Sequence, residues 1–409
     1  MNLFKKSNPI SVTILIAVLA VVIGWQAGHR DYKLSWENYR PEVNFSNDQT
    51  PKEAANVDFK LFWDTWKRVS ETYVDKKAID PQKMYYGAIQ GMVSAVGDPY
   101  TVFLPPAQQK STQEELGGSF EGVGMELGFN KDKRLVVIAP LNGTPAEKAG
   151  IMPGDLIVRI EDQDATGFSV LQAVEKIRGA KGTPVKVEIY RDGEDKTREI
   201  SMVRDTIIVK SVEFEAKTSP KGKKIGYIKL SRFGERTFEE WSESVLEAQA
   251  AGAQAIVLDV RNNPGGFLDG ARYIASEFVE NSVVYQIEDS NGKRVAYSTN
   301  RPGKLYKLPL VVLMNKGSAS ASEIVSGALQ DLKRAQLIGD QSFGKGTVQE
   351  SIELPGGTGL HITTNKWLTP DARWIHTTGL TPDIKVEMDT ANPEKDPQLD
   401  KALETLDIQ

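Results

Sequence analysis

The spacing of hydrophobic positions changes several times along the chain, and each change marks a different kind of segment. Residues 7–28 contain no charge, and residues 14–23 are wholly apolar. A run of that length can cross a bilayer, while its shorter apolar centre also suits a secretory signal. Trp25, Gln26 and His29 crowd the place where a cleavage site would lie. The expectation is therefore an uncleaved anchor at residues 1–30, set against a cleaved signal and a buried helix. Lys5 and Lys6 keep the short end in the cytoplasm, so the rest of the chain is expected outside it, periplasmic or beyond the cell. Residues 31–56 are polar, lack a sustained apolar period and read as a linker.

A helical period follows. Phe59, Phe62, Trp63, Trp66, Val69 and Tyr73 recur every three or four residues. Asp80 then precedes Pro81 as an N-cap before proline at the first helical position. The next stripe is Met84, Tyr85, Ala88, Ile89, Met92 and Val93. Residues 57–118 thus read as a helical N-terminal subdomain, whose aromatic faces suit either packing at home or a homodimer. From residue 119 the texture is short strands and glycine turns, with strands expected at 125–127, 135–138, 155–160 and 185–190 and a helix at 168–177. This makes a compact domain over 119–204. Residues 205–388 alternate strands (225–230, 255–260, 308–313) with helices (238–251, 267–279, 322–334), which predicts an α/β multidomain protein with a layered core. The last segment, 389–409, is charged and reads as an exposed tail.

Composition narrows the chemistry. The net charge is −5 over 409 residues, with no basic block, which points away from nucleic acid. The absence of cysteine removes thiol nucleophiles, disulfides and cysteine-bound zinc. The richest stretch is NKGSASASE at 315–323, between an apolar strand and an amphipathic helix. A serine there meets outward-pointing backbone N–H groups. Ser320-Ala-Ser-Glu323 equally has the spacing of a capping box, which would make the serine a helix cap. Histidine is scarce, and neither His361 nor His376 stands in a triad signature. Lys345, flanked by Gly344 and Gly346, is the candidate base. A lysine held near pH 7 needs surroundings that favour the neutral amine by about 4 kcal/mol. A rival is a phosphate loop over 339–346, but Gly346 stands where the magnesium-binding hydroxyl should be and a β-like run follows. The glycines of 122–128 likewise miss a dinucleotide fingerprint.

Taken together, GSASASEIVSGALQD at 317–331, FGKGTVQ at 343–349 and LDVRNNPGGF at 258–267 resemble the carboxyl-terminal processing (tail-specific) proteases. LTPD at 368–371 and GLTPD at 379–383 fit the same pattern. The resemblance implies a crotonase-like α/β protease core. It makes Ser320 the nucleophile in preference to Ser318 or Ser322, Lys345 the general base and Gln349 its hydrogen-bonding partner. It gives the oxyanion to the backbone N–H groups of Gly266 and Ala321. FEGVGMELG at 120–128 and TPAEKAGIMPGD at 144–155 resemble an inserted PDZ domain, whose carboxylate-binding loop would be Gly122, Val123, Gly124 and Met125. Arg178 is similar to an arginine that links the PDZ domain to the core in some relatives, and would otherwise be a solvent-facing helix end. The implied function is endoproteolysis near the C-termini of unfolded or exported proteins, with no cofactor and no metal. The implied partners are substrate tails, the inner or cytoplasmic membrane and an adaptor protein. An inactive PDZ scaffold and a nucleotide-dependent enzyme are the competing classes.

Overall fold

The computed structural model describes residues 32–37, 40–45, 54, 56–388, 392 and 394–408. The anchor or signal reading of residues 1–30 falls outside them. Among the described residues no helix is long and apolar enough to cross a membrane. The chain divides into two compact units, residues 1–84 and 85–409.

In the first unit, β1 (Tyr32–Glu37) pairs antiparallel with β2 (Arg40–Phe45), Tyr32 opposite Phe45. The linker reading of 31–56 is corrected here. Tyr32, Leu34 and Trp36 alternate with polar residues, a period-two pattern too short to stand out from a polar tether. Helix α1 (Lys60–Thr72) carries the aromatic stripe, with Phe62 and Trp63 rings 5.0 Å apart, yet none of its residues is buried and Trp63 is 61% exposed. Helix α2 (Pro81–Ser94) begins as its sequence predicts, Asp80 Oδ1 accepting the Gln82 N–H at 2.9 Å.

The second unit takes in most of α2, which crosses the boundary between the units, then β3 (Val102–Leu104) and α3 (Pro106–Gly117). A strand-rich insertion follows: β4 (Ser119–Gly122), β5 (Met125–Phe129), β6 (Leu135–Pro140), α4 (Pro145–Lys148), β7 (Leu156–Ile160), β8 (Gln163–Asp164), α5 (Val170–Ile177), β9 (Pro184–Tyr190), β10 (Arg198–Val203) and β11 (Asp205–Ile208). Its main sheet has the order β10-β9-β7-β6-β5, so β5 is a free edge. The apolar alternation of Val185, Val187 and Ile189 packs against Ala173 and Ile177 of α5. Strands β4 and β11 pair with each other, Gly122 opposite Asp205, so the domain leaves and re-enters the chain at one place.

The core comprises β12 (Val212–Thr218), β13 (Lys224–Leu230), α6 (Thr237–Ala250), β14 (Ala255–Asp259), α7 (Leu268–Ala275), β15 (Val283–Glu288), β16 (Arg294–Ser298), β17 (Leu310–Met314), α8 (Ala321–Asp331), β18 (Gln336–Gly339), β19 (Thr347–Leu354), β20 (Thr358–Leu368), β21 (Ile384–Lys385) and α9 (Pro397–Leu406). One sheet runs β12-β13-β14-β17-β18-β21, parallel apart from β12. Strands β14 and β17 are buried along their whole length, which is why they read as unbroken apolar runs. Trp241, Phe278, Ile324 and Val325 belong to the cluster on one side of this sheet. Ala402 and Leu406 of α9 cover Ile225, Val257, Val311 and Leu313 in another. The tail beyond 389 is therefore not simply exposed: Leu399, Ala402, Leu403 and Leu406 form a helical stripe that its charged neighbours disguise.

An antiparallel sheet, β16-β15-β20-β19, also takes β3 onto β20. Gln113 of α3 donates to Glu353 Oε1 of β19 at 2.7 Å. The 98–117 segment thus belongs with the core rather than with the helical subdomain to which the 57–118 boundary assigned it. The docking of α9 has a measurable consequence. Leu406→Ala should cost about 2–5 kcal/mol in urea unfolding, and an unchanged midpoint would mean that this helix does not seal the sheet.

Candidate active site

Two loops meet at the start of α8. The first leaves β17 and ends in Ser320, whose backbone sits at φ 55° and ψ −114°. Such a conformation is costly for a residue with a Cβ and persists only where the surroundings impose it. The other two serines of the run supply part of that imposition. Ser318 Oγ donates to the Val260 carbonyl at 2.7 Å, and Ser322 Oγ to the Asn263 carbonyl at 2.6 Å. Both are fully enclosed and spent on structure, whereas Ser320 keeps 9% of its surface open.

The second loop follows β14. Asn263 Nδ2 donates to the Leu230 carbonyl (2.8 Å), while its Oδ1 accepts the Gly265 N–H (2.9 Å). Its carbonyl takes the Ala319 N–H at 2.9 Å. The approach is so close that only glycine fits. A Cβ on Gly265 would lie 2.8 Å from Ser320 Cβ, and one on Gly266 would lie 2.1 Å from the Phe233 carbonyl oxygen. The Gly266 carbonyl side is fixed by Phe267 N–H donating to Phe233 at 2.8 Å. Among the described residues neither the Gly266 N–H nor the Ala321 N–H has an acceptor.

Lys345 lies between β18 and β19. Its carbonyl accepts the Trp367 indole N–H at 2.8 Å, and the next carbonyl, that of Gly346, accepts the Trp374 indole N–H at 2.9 Å. The ammonium donates to Gln349 Oε1 and lies 5.0 Å from the Tyr100 ring centroid. Gln349 Nε2 in turn donates to the Tyr100 carbonyl. Among the described residues no hydrogen bond joins Lys345 Nζ to Ser320 Oγ, and neither His361 nor His376 bonds the serine. Burial pushes Lys345 below the ordinary lysine value, against the opposing pull of Asp98 and Glu323.

Glu323 holds the two halves together. Fully buried, its carboxylate accepts the Ser320 N–H (2.8 Å), the Lys345 N–H (2.9 Å), the Gly344 N–H (2.7 Å) and Ser342 Oγ (2.6 Å). The Ser-x-x-Glu spacing did flag it, but only as a helix cap. Its bonds to the lysine loop, and the parts played by Tyr100, Trp367 and Trp374, had no sequence signal at short range. The loop over 339–346 runs into a strand, β19, and so lacks the helix that a phosphate loop needs.

At the insertion's edge, the Val123 carbonyl accepts the Ala146 N–H (2.8 Å) and the Gly124 carbonyl the Leu141 N–H (2.9 Å). With these carbonyls turned inward, the N–H groups of Val123 and Gly124 have no acceptor among the described residues. Gly122 ends β4 and Met125 begins the free edge strand β5, near α5. Arg178, at the end of α5, does not face open solvent. It pairs with Glu114 of α3 at 2.7 Å and stacks over the Phe120 ring at 4.4 Å.

A strained serine at a helix start, laced to a loop that presents a desolvated lysine, is the build of a serine peptidase. Residues 224–386 match peptidase family S41, residues 109–190 match the PDZ domain, and residues 22–107 match the activating protease CtpB N-terminal domain. The carboxy-terminal processing protease CtpB of Bacillus subtilis is 39% identical over 324 residues, spanning 79% of this chain and 66% of that protein. The carboxyl-terminal-processing protease of Synechocystis is 34% identical over 345 residues, 80% of this chain and 81% of that one. A solved structure described as an S41 protease from Bacteroides fragilis shares the fold at 16% identity, with a TM-score of 0.55 over 83% of this chain and 92% of that one. The chain belongs to the S41 family of carboxyl-terminal processing serine proteases.

The lacing role of Glu323 can be measured. Glu323→Gln keeps the shape but offers an amide nitrogen to donors that now bond a carboxylate oxygen. It should destabilise the protein by about 1–3 kcal/mol for each donor left stranded and lower turnover together with stability. A variant as stable as the parent would mean that the carboxylate does not hold the loops.

Proposed function

We propose that the chain is an endopeptidase that cuts near the C-termini of unfolded or exported proteins, using Ser320 and Lys345. The observation that carries this reading is Glu323, whose one carboxylate bonds the backbone of both residues. Neutral Lys345 takes the proton of Ser320 Oγ as the oxygen attacks the scissile carbonyl. The oxyanion that forms lies between the N–H groups of Gly266 and Ala321. Lys345 then passes the proton to the leaving amine, and the acyl ester on Ser320 is released by water that Lys345 deprotonates. Gln349 holds the amine in its shell before the step, and the side chain turns from Gln349 to Ser320 to act.

Recruitment falls to the inserted domain. The unbonded N–H groups of Val123 and Gly124, between Gly122 and Met125, suit a chain-terminal carboxylate, and the free edge of β5 suits a tail added as a strand. Arg178, through Glu114, supports a link between that domain and the core. The exposed aromatic face of α1 suits a second copy of the chain. The uncharged run at 7–28 supports attachment to the inner or cytoplasmic membrane, with the catalytic part outside the cytoplasm.

Three experiments test this. Ser320→Ala should abolish cleavage of an unfolded substrate while leaving the melting temperature nearly unchanged, and Lys345→Ala should do the same. Because burial lowers the Lys345 pKa, the neutral base becomes available below the usual lysine range, so kcat/KM of the parent should rise with pH through that lowered value. Turnover retained in Ser320→Ala would leave the chain as a tail-binding scaffold or a peptidase of another mechanism. Separately, Ser320→Ala protein should bind a tail peptide with a free C-terminus about ten- to a hundredfold more tightly than its C-terminal amide, measured by calorimetry. Equal affinities would remove the carboxylate site.

A further inference from the structure

Arg261 lies in the loop between β14 and α7, just before Gly265 and Gly266, and the mechanism above gives it no part. Its guanidinium is shared between two carboxylates. On one side, Nε donates to Asp259 Oδ1 at 3.0 Å and Nη2 to Asp259 Oδ2 at 2.6 Å. On the other, Nη1 and Nη2 donate side by side to Asp396 Oδ1 and Oδ2, each at 2.8 Å. Nη1 also reaches Gln398 Oε1 at 3.1 Å. Asp396 and Gln398 belong to the start of α9. Asp396 Oδ1 caps that helix by accepting the Leu399 N–H at 3.0 Å. Asp259 is itself buried at the end of β14 and accepts the Tyr227 hydroxyl at 2.6 Å.

The chain beyond Arg261 is held at Asn262, Asn263 and Gly265. Asn262 stands in the left-handed region at φ 57°, its N–H on Asn315 Oδ1 (2.9 Å) and its Oδ1 accepting Asn315 Nδ2 (2.9 Å). Asn263 then fixes Gly265 through its side chain. The loop thus enters from one rigid point, the Arg261 fork, and runs through two asparagines to the Gly266 N–H. A parallel two-bond fork fixes direction as well as distance, which a single surface ion pair does not.

We propose that the Asp396 fork at the start of α9, rather than the packing of the helix on the sheet, positions the glycine loop, with Asp396 and Arg261 acting as positioning residues for the hydrolytic step. The C-terminal helix would then serve the chemistry from the far side of the sheet, in addition to sealing the apolar surface beneath it. This inference rests on the Gly266 N–H being an oxyanion donor. Such donors must lie about 2.7–3.1 Å from the developing charge, so slack at the Arg261 anchor is felt in kcat. Substrate binding, which lies largely in the inserted domain, is not affected.

The test uses the full-length protein with one unfolded substrate, below the melting temperature of every variant. Asp396→Asn keeps the size and the helix cap but breaks the charged fork. It should lower kcat about tenfold, a fraction of what losing an oxyanion donor costs, with KM within about twofold. Asp396→Glu should recover part of the loss. Leu406→Ala loosens α9 from the sheet without touching Arg261, and should lower the melting temperature at least as much while leaving kcat near the parent value. If Asp396→Asn lowers only the melting temperature, or if Leu406→Ala loses kcat equally at the same loss of stability, α9 is a brace and the proposal is overturned. Ser320→Ala run in parallel separates the two readings. If it is inactive while Asp396→Asn keeps parental kcat, the positioning role alone fails; if it stays active, the functional reading fails first.

Discussion

One buried carboxylate organises the centre of this molecule. Glu323 has no solvent contact, and burial pushes its carboxyl above the usual range while the hydrogen bonds it accepts act against that rise. An isolated charge there would cost many kcal/mol. It is tolerated because Ser320, Gly344, Lys345 and Ser342 all direct donors at it. Those donors come from two segments that one further backbone bond, from the Phe343 N–H to the Ser318 carbonyl at 3.0 Å, also joins. The strained Ser320 backbone and the lysine loop are thus held by a common acceptor, and loosening one loosens the other.

The same charge works against a neutral Lys345. A carboxylate near Lys345 favours the ammonium, as does Asp98, whereas the proposed chemistry needs the neutral amine. Burial outweighs both. The indole N–H groups of Trp367 and Trp374 contribute to placing the loop without adding charge, since they bond the carbonyls of Lys345 and Gly346. Neutral donors can fix a backbone while leaving the side chain's proton affinity to its desolvation. The local compromise is one charged tie, paid once at Glu323, and uncharged ties elsewhere.

Much of this was legible along the chain, and the remainder was hidden for identifiable reasons. Strands β14 and β17 are apolar throughout because parallel neighbours and covering layers bury both faces, so they needed no knowledge of the fold. The Asp80–Pro81 helix start is a local rule and appears where expected. What was misread, the short local β1–β2 hairpin apart, depends on distant partners. The β1–β2 hairpin consists of two six-residue strands within a polar stretch. The docking of α9 is invisible until Ile225, Val257 and Val311 are brought beneath it. Segment 98–117 looked like a continuation of the helical region because the strand that claims β3, β20, lies some 250 residues later. In the site, the Ser320–Glu323 spacing by itself reads as a capping box, and only the resemblance of the longer run gave Ser320 a part in the chemistry, while the bonds from Glu323 to the lysine loop stayed hidden. Tyr100 gave no signal at all, as it meets the site only through distant partners, its carbonyl accepting from Gln349 and its ring lying 5.0 Å from the Lys345 amine.

The placement of the insertion follows from these contacts. Because β4 and β11 pair at its root, the strand-rich domain meets the rest of the chain at one narrow neck, and α3 runs directly into that neck. Two consecutive residues of α3 face different ways: Glu114 takes Arg178 at the end of α5, and Gln113 takes Glu353 on β19. Strand β19 also carries Gln349, the partner of Lys345. A single helix therefore touches both the domain that offers an open strand edge and the strand that holds the partner of the lysine. Coupling between them requires that these contacts differ between two states of the insertion. The Arg178–Glu114 pair is one of these contacts. It is partly buried, it joins the insertion to α3, and its guanidinium stacks on Phe120 two residues before Gly122. The arginine therefore lies where Gly122, the Phe120 ring and α3 converge.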